Sequence, residues 1–259
     1  VVQTASVPAE RTLSKLLRGE RTKRQCVDCG IEFEAVWATI CNDCAVKREQ
    51  DISDREAQIK LADEESRYQV MIRQSGIPNL WKDTRFEDSD ITIHPDLFSR
   101  AKEYAEAFSI NSPSLIFYSE NVGTGKTHLA IMISNLVLHE KKTAVLYLKA
   151  RDLLINLRGL YSPAAETTEK AYLDMVTRVP LLILDDVGRD RYTDWVDGTY
   201  WTVFDRRLEN GKPTIITTNR VPAGIGDNSL ESRIGYAGLS RLLRMCDGLV
   251  FEVGGADLR

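Results

Sequence analysis

Between residues 114 and 218 the apolar positions fall into short unbroken runs, separated by longer stretches where they recur every three or four residues. Four runs are short and largely apolar, most of them rich in β-branched or aromatic residues: Ser114-Leu115-Ile116-Phe117-Tyr118, Ala144-Val145-Leu146-Tyr147-Leu148, Leu181-Leu182-Ile183-Leu184 and Thr214-Ile215-Ile216-Thr217-Thr218. They read as buried strands. Residues 127–139 carry Leu129, Ile133, Leu136 and Val137 on one side of a helix, and 151–160 and 200–209 read as further helices. Strands that alternate with helices predict a parallel sheet covered on both faces, an α/β fold.

Upstream the pattern changes. From Lys47 to about Gln74 the chain is dense in charge, with Ile52, Ile59, Tyr68, Val70 and Ile72 widely spaced, which suits a solvated helical linker. Ser75-Gly76-Ile77-Pro78-Asn79 ends it, because Pro78 pushes Ile77 out of helical geometry. Residues 25–46 hold four of the five cysteines and are expected to form a compact unit of their own. Residues 1–24 have small residues, one proline and no sustained apolar period, and read as a flexible arm. The expected organisation is therefore an arm (1–24), a cysteine unit (25–46), a linker (47–75) and a larger α/β domain (76–259). A chain of 259 residues has room for one full-sized domain and a smaller one.

Charge adds one local feature. The net charge of -4 argues against wholesale coating of nucleic acid, yet Arg11, Lys15, Arg18, Arg21, Lys23 and Arg24 face only Glu10 and Glu20. A solvated tail and an arm that touches phosphates are both open readings. No apolar stretch approaches the roughly 18–20 residues of a membrane span. The first residues also lack the order of a secretory signal, so a cytoplasmic protein is expected.

The first strand runs into Val122-Gly123-Thr124-Gly125-Lys126-Thr127-His128, and a helix follows. That is the context of a P-loop, in which glycines let the backbone turn and aim its N–H groups at phosphate oxygens, helped by the helix N-terminus. Lys126 is expected on the β- and γ-phosphates of ATP and Thr127 on Mg²⁺. The first glycine of the pattern falls on Glu120, whose side chain must then face outward to avoid repelling phosphate. A second motif is the strand ending in Asp185-Asp186: Asp185 is assigned to Mg²⁺ and Asp186 to the attacking water as general base. Asn219, which ends the fourth strand after Thr217-Thr218, is a candidate for positioning water; a strand-end cap is the alternative.

Cys26-Val27-Asp28-Cys29 and Cys41-Asn42-Asp43-Cys44 are two C-x-x-C pairs eleven residues apart. Four thiolates complete a tetrahedral Zn²⁺ site of structural type. Ile31-Glu32-Phe33-Glu34-Ala35-Val36 alternates like a short hairpin strand, and so small a unit has too little core to fold without metal. Disulfides are the alternative, and a reducing compartment disfavours them. Cys246 has an apolar context and reads as a buried small residue.

With these motifs placed, residues 76–259 resemble the AAA+ domain of helicase loaders of the DnaC/DnaI type. Gly76-Ile77-Pro78 followed by Arg85-Phe86-Glu87-Asp88, then Lys126-Thr127-His128-Leu129-Ala130, Leu184-Asp185-Asp186-Val187-Gly188, and Phe204-Asp205-Arg206-Arg207 ahead of Thr217-Thr218-Asn219 carry the resemblance in order. It implies that Ser240-Arg241-Leu242 supplies an arginine finger to a neighbouring subunit, with Arg233 as second candidate, and that Arg259 is the sensor 2 arginine contacting nucleotide. Many AAA+ proteins carry Glu at the position of Asp186, so the resemblance implies weak hydrolysis, stimulated by assembly or DNA. It also implies self-assembly into a ring or spiral, a DnaB-type helicase hexamer as partner of the N-terminal unit, and single-stranded DNA bound by the ATPase domain. Leu157-Arg158-Gly159-Leu160-Tyr161, Lys149 and Arg151 are candidate DNA contacts; ordinary helix-end roles stand beside that reading. IstB-type transposition ATPases share the motifs, and an adaptor or inhibitor that holds nucleotide without turnover is the alternative of a different class.

Overall fold

The computed structural model describes residues 19, 21–88, 94–162, 167–222 and 228–255. Most of the basic arm and Arg259 lie outside the described residues. The chain divides into two units, residues 1–66 and 67–259.

In the first unit, β1 (Thr22–Gln25) and β2 (Glu32–Ala35) pair antiparallel, with Gln25 opposite Glu32 and Thr22 opposite Ala35. The first cysteine pair occupies the connecting turn, where Gly30 takes φ +74° and its N–H reaches the Cys26 carbonyl at 2.8 Å. Helix α1 (Asn42–Gln74) begins inside the second cysteine pair, earlier than its charge pattern announces, and it buries none of its residues. Along most of its length it owes its stability to local propensity and charge pairs rather than to a buried stripe, and only near its end do the partly buried Met71 and Ile72 pack against a hydrophobic core.

The second unit is the expected α/β domain. Its strands β3 (Leu115–Tyr118), β4 (Val145–Lys149), β5 (Leu181–Val187), β6 (Thr214–Thr218) and β7 (Val250–Glu252) form one sheet in the order β4-β5-β6-β3-β7, with every pair parallel. Successive side chains of a strand leave by opposite faces. Leu115 and Phe117 accordingly join Ile183, Ile215 and helix α3 (Lys126–His139) on one side. Ile116 joins Leu182, Leu184 and Ile216 on the other, under α4 (Ala150–Gly159), α5 (Glu169–Arg178) and α6 (Asp194–Glu209). The order matters for function, because β6 lies between the P-loop strand β3 and the acidic strand β5.

Several elements were not announced by the apolar pattern. Helix α2 (Pro95–Glu106) buries only Ala101 and Ala105. Helix α5 is fixed by its Thr168 cap, whose Oγ1 accepts from the Ala171 N–H at 3.2 Å. Helix α6 starts six residues before the expected 200, where Thr193 caps a first turn containing Asp194 and Asp197. The C-terminal part adds α7 (Glu231–Ile234) and α8 (Tyr236–Cys246), and Cys246 is buried as expected.

Arg207 of α6 is fully buried. Its guanidinium donates to the carbonyls of Val176, Val179 and Pro213 at 2.9, 3.0 and 2.5 Å and to Thr214 Oγ1 at 2.8 Å. It closes the open carbonyls at the end of α5 and holds them to the start of β6. Burial lowers its pKa to about 9, which leaves it charged at neutral pH. Arg207→Leu strands these acceptors away from water, at about 1–3 kcal/mol for the first alone. The expected result is a fall in the urea midpoint equivalent to about 3 kcal/mol with an unchanged slope.

Candidate functional site

The loop after β3 is shaped by two glycines in left-handed backbone, Gly123 at φ +73° and Gly125 at φ +92°, and Gly125 caps α3. Lys126 is only 5% exposed. Its ammonium donates to the Asn121 carbonyl at 2.9 Å and to Thr124 Oγ1 at 3.2 Å, so it is held by the loop itself. Burial lowers its pKa, and the charges of Asp186 and Asp185 pull the other way.

Asp185 is 4% exposed and accepts three hydroxyl donors. Thr127 reaches Oδ1 at 2.7 Å, Thr217 reaches Oδ1 at 2.6 Å, and Tyr147 reaches Oδ2 at 2.7 Å. The β5–β6 register shifts between Leu184 and Val187, so both acids lie on a bulge at the strand's C-terminal end, a common device for aiming side chains. Asp186 has φ +59°, and its N–H donates to Thr217 Oγ1 at 2.9 Å. Its carboxylate pairs with Arg189 at 2.8 Å. Burial and then the charge of Asp185 raise the Tyr147 pKa, so the phenol stays a donor at neutral pH.

Asn219 follows β6, and its Oδ1 is buried without a hydrogen-bond partner. A buried orphan acceptor of this kind fits a water or ligand donor. His128 packs on Trp81 with centroids 5.5 Å apart, and burial lowers its pKa, keeping the imidazole neutral. Val122 is exposed. Glu120 is exposed and turned as expected: Asn228 donates to its Oε1 at 2.7 Å, and Arg220 donates to Asn228 Oδ1 at 2.7 Å.

Among the described hydrogen bonds, Arg241 bonds to Asp205 and the Ala237 carbonyl rather than to the acids of this cluster. Arg241 pairs with Asp205 at 2.5 Å and sits 5.4 Å from the Trp201 ring centre. Arg233 packs beside Gly188 at the end of β5, where a Cβ on the glycine would lie 3.5 Å from the arginine's own Cβ. Arg158 stacks 4.5 Å over Trp195, whose indole N–H reaches the exposed Tyr161 hydroxyl at 3.5 Å, while Lys149 and Arg151 are exposed. Sequence reasoning missed Tyr147, Thr217 and Arg189. Tyr147 did carry a signal, as a polar side chain inside the run Ala144-Val145-Leu146-Tyr147-Leu148.

The four cysteine sulfurs, Cys26, Cys29, Cys41 and Cys44, lie within 4.8 Å of one another, and Cys29 and Cys41 are 3.7 Å apart. With Zn–S bonds of about 2.3 Å, a tetrahedron has sulfur–sulfur edges of about 3.8 Å, so the donor set fits. The Cys41 N–H points at Cys26 Sγ at 3.3 Å. Burial raises the Cys26 thiol, but backbone hydrogen bonds from Cys41, Cys29 and Asp28 outweigh it and bring it to about 6. Asp28 is paired with Arg48 of α1.

The family model of the bacterial DnaA ATPase domain matches residues 98–240. The chain belongs to that family. The replicative helicase loader DnaC of Buchnera aphidicola subsp. Schizaphis graminum is 33% identical over 169 residues, 64% of this chain and 67% of the relative. That match places the chain with the DnaC-type loaders. A crystal structure of the DnaC helicase loader superposes with a TM-score of 0.59 at 22% identity, covering 68% of this chain and all of the other. The replication initiator DnaA bound to AMPPCP and single-stranded DNA superposes with a TM-score of 0.52 at 22% identity, covering 67% and 50% of the two chains. The doubly covered parallel sheet is thus that of an AAA+ ATPase. Among the described residues no helix is long and apolar enough to cross a membrane.

Proposed function

We propose that this chain is an ATP-dependent loader that binds a DnaB-type replicative helicase hexamer and helps place it on single-stranded DNA during replication initiation. The observation that carries the reading is the junction of P-loop and acidic strand, where Thr127 and Thr217 meet on Asp185 Oδ1. What supports a Mg²⁺ site there is a set of oxygen atoms of the kind Mg²⁺ takes, together with a buried lysine whose hydrogen bonds go to neutral acceptors. In this reading Val122, Gly123, Thr124, Gly125 and His128 line the nucleotide, Lys126 binds the β- and γ-phosphates, and Thr127 and Asp185 hold Mg²⁺. Bound Mg²⁺ neutralises charge on the phosphates. Asp186 accepts a proton from the attacking water, and Asn219 orients that water through its unpartnered Oδ1. Arg259, outside the described residues, takes the sensor 2 role that the resemblance implies. Cys26, Cys29, Cys41 and Cys44 hold a structural Zn²⁺, and their unit together with α1 forms the arm that meets the helicase. Similarity to a helicase loader and to a DnaA bound to AMPPCP and single-stranded DNA supports this reading.

Pull-down of the tagged chain from its native cell tests the partner. Recovery of a hexameric helicase supports the loader, and recovery of a transposase in its place overturns it in favour of an IstB-type role. One observation favours a second reading. The Asp186 carboxylate is already engaged by Arg189, which suits a nucleotide-gated adaptor with no turnover. Phosphate release with and without single-stranded DNA separates the two: release under either condition supports the ATPase, and none under both supports the adaptor.

Arg241 acts, in this reading, on the active site of the next subunit in a ring or spiral. Arg241→Ala should leave ATP affinity unchanged and lower hydrolysis in the assembled state about 10³-fold, the smaller end of what an arginine finger supplies. Normal hydrolysis by that variant transfers the role to Arg233.

A further inference from the structure

Asp185 is held more tightly than an acid that merely waits for a cation. Both lone-pair faces of its carboxylate are in use, but differently. Oδ1 receives the two threonine hydroxyls, from Thr127 at 2.7 Å and Thr217 at 2.6 Å. Oδ2 receives one donor alone, the phenol of Tyr147 at 2.7 Å. Tyr147 comes from β4, the strand next to β5, in register with Ile183, two residues before Asp185. Its backbone is fixed as well: the Tyr147 N–H donates to the Ser75 carbonyl at 2.7 Å, and Gly76 lies so close that a Cβ there would stand 2.5 Å from the Tyr147 carbonyl oxygen. The phenol therefore has little freedom to leave Oδ2.

When a metal binds, Thr127, itself assigned to Mg²⁺, gives up its bond to Oδ1 and frees that oxygen, whereas the phenol stays on Oδ2, so the carboxylate offers a metal Oδ1 rather than both oxygens. Mg²⁺ demands near-ideal octahedral geometry at about 2.0–2.1 Å and takes carboxylates through single oxygens, whereas Ca²⁺ accepts a carboxylate through both oxygens at longer range. Resting on the ATPase reading above, we propose that Tyr147 is a positioning residue that occupies Oδ2 of Asp185, confines the acid to one-oxygen ligation, and so makes the site select Mg²⁺ over Ca²⁺. The hydroxyl, rather than the ring, carries this role. The ring is part of the buried core beside Ile183 and Ile215, so phenylalanine preserves the packing and removes only the donor.

The test compares the full-length chain with Tyr147→Phe. Nucleotide affinity is measured first in EDTA with a fluorescent ATP analogue, then as a function of added Mg²⁺, Mn²⁺ or Ca²⁺, and thermal midpoints are recorded in parallel. The expected result is unchanged affinity in EDTA, Mg²⁺ required at about tenfold higher concentration, as loss of one buried donor to a charged group implies, and a several-fold fall in the preference for Mg²⁺ over Ca²⁺. Steady-state rates should show the Mg²⁺ concentration for half-maximal activity rising more than kcat falls. An unchanged Mg²⁺ requirement and an unchanged ion preference overturn the proposal while leaving the ATPase reading intact. Equal losses in EDTA and in Mg²⁺, with a lowered thermal midpoint, also overturn it, because they assign the phenol to the fold alone. A wild-type chain that binds no nucleotide under any of these conditions overturns the ATPase reading and this inference with it.

Discussion

Lys126→Ala should abolish ATP binding at working concentrations while leaving the chain folded. The ammonium lies on the P-loop at the start of α3, bound to the Asn121 carbonyl and Thr124 Oγ1. These are neutral acceptors that phosphate oxygens replace with stronger, charge-assisted partners. Losing charged hydrogen bonds of this kind costs about 3 kcal/mol, or roughly 100-fold in affinity. The fold should tolerate the change because burial depresses the lysine's pKa. A base with a lowered folded pKa binds fewer protons folded than unfolded, so its charge opposes folding at neutral pH. That opposition fades only as pH rises through the folded value towards about 10.4. Calorimetric titration should therefore show no ATP binding by the variant, with a thermal midpoint at neutral pH equal to or above that of the parent. For the parent, ATP affinity should be flat near neutrality and fall on the alkaline side, beginning below the pH at which a free lysine titrates. Tight ATP binding by Lys126→Ala contradicts the P-loop assignment.

The parts of this site that were legible in the sequence are those whose chemistry is local. Gly123, Gly125, Lys126 and Thr127 are consecutive or nearly so, and a strand before them with a helix after them sufficed to place a phosphate loop. The four strands from 114 to 218 were legible for the same reason, since each is a self-contained apolar run buried on both faces. The helices that escaped notice bury too few large apolar residues to mark a period: α2 fully buries only alanines, and α5 is defined as much by its threonine cap as by its stripe. Strand β7 is three residues long and only partly buried.

The roles that depend on partners distant in sequence were not legible. Tyr147 meets Asp185 because β4 and β5 are neighbours, Thr217 meets it because β6 lies on the other side of β5, and no spacing along the chain encodes either contact. Glu120 shows the same limit from the other direction. As a departure from the loop pattern it looked like a liability, yet its carboxylate accepts from Asn228, and Asn228 in turn holds Arg220, next to Asn219. The acid thus joins the phosphate loop to the segment that follows β6 instead of crowding the phosphates. The pairing of Arg241 with Asp205 could not be foreseen from Ser240-Arg241-Leu242. Assembly must exchange that ion pair for a phosphate if Arg241 is the finger.

Removing zinc should unfold residues 21–46 and leave nucleotide binding by residues 67–259 in place. Within 21–46 only Cys26 is buried, so the unit has no apolar core to hold it without metal. Its two strands have four residues each, and an isolated two-stranded hairpin is marginal at best in water. Binding of a structural Zn²⁺ supplies about 10–16 kcal/mol at neutral pH, far more than such a hairpin can contribute. Metal analysis of the purified chain should find one zinc per molecule. Chelation should then collapse the amide signals of residues 21–46 to random-coil positions, with the signals of the larger unit and its ATP affinity unchanged. Cys29→Ser should reproduce the collapse, because serine leaves a weak fourth ligand for a soft-donor site. Arg48→Ala, which breaks the ion pair to Asp28 without touching a thiol, should retain zinc and the hairpin. A metal-free chain with paired disulfides and an intact hairpin overturns the zinc assignment. Loss of helicase binding on chelation, with ATP binding preserved, is the result that places partner recognition in this unit.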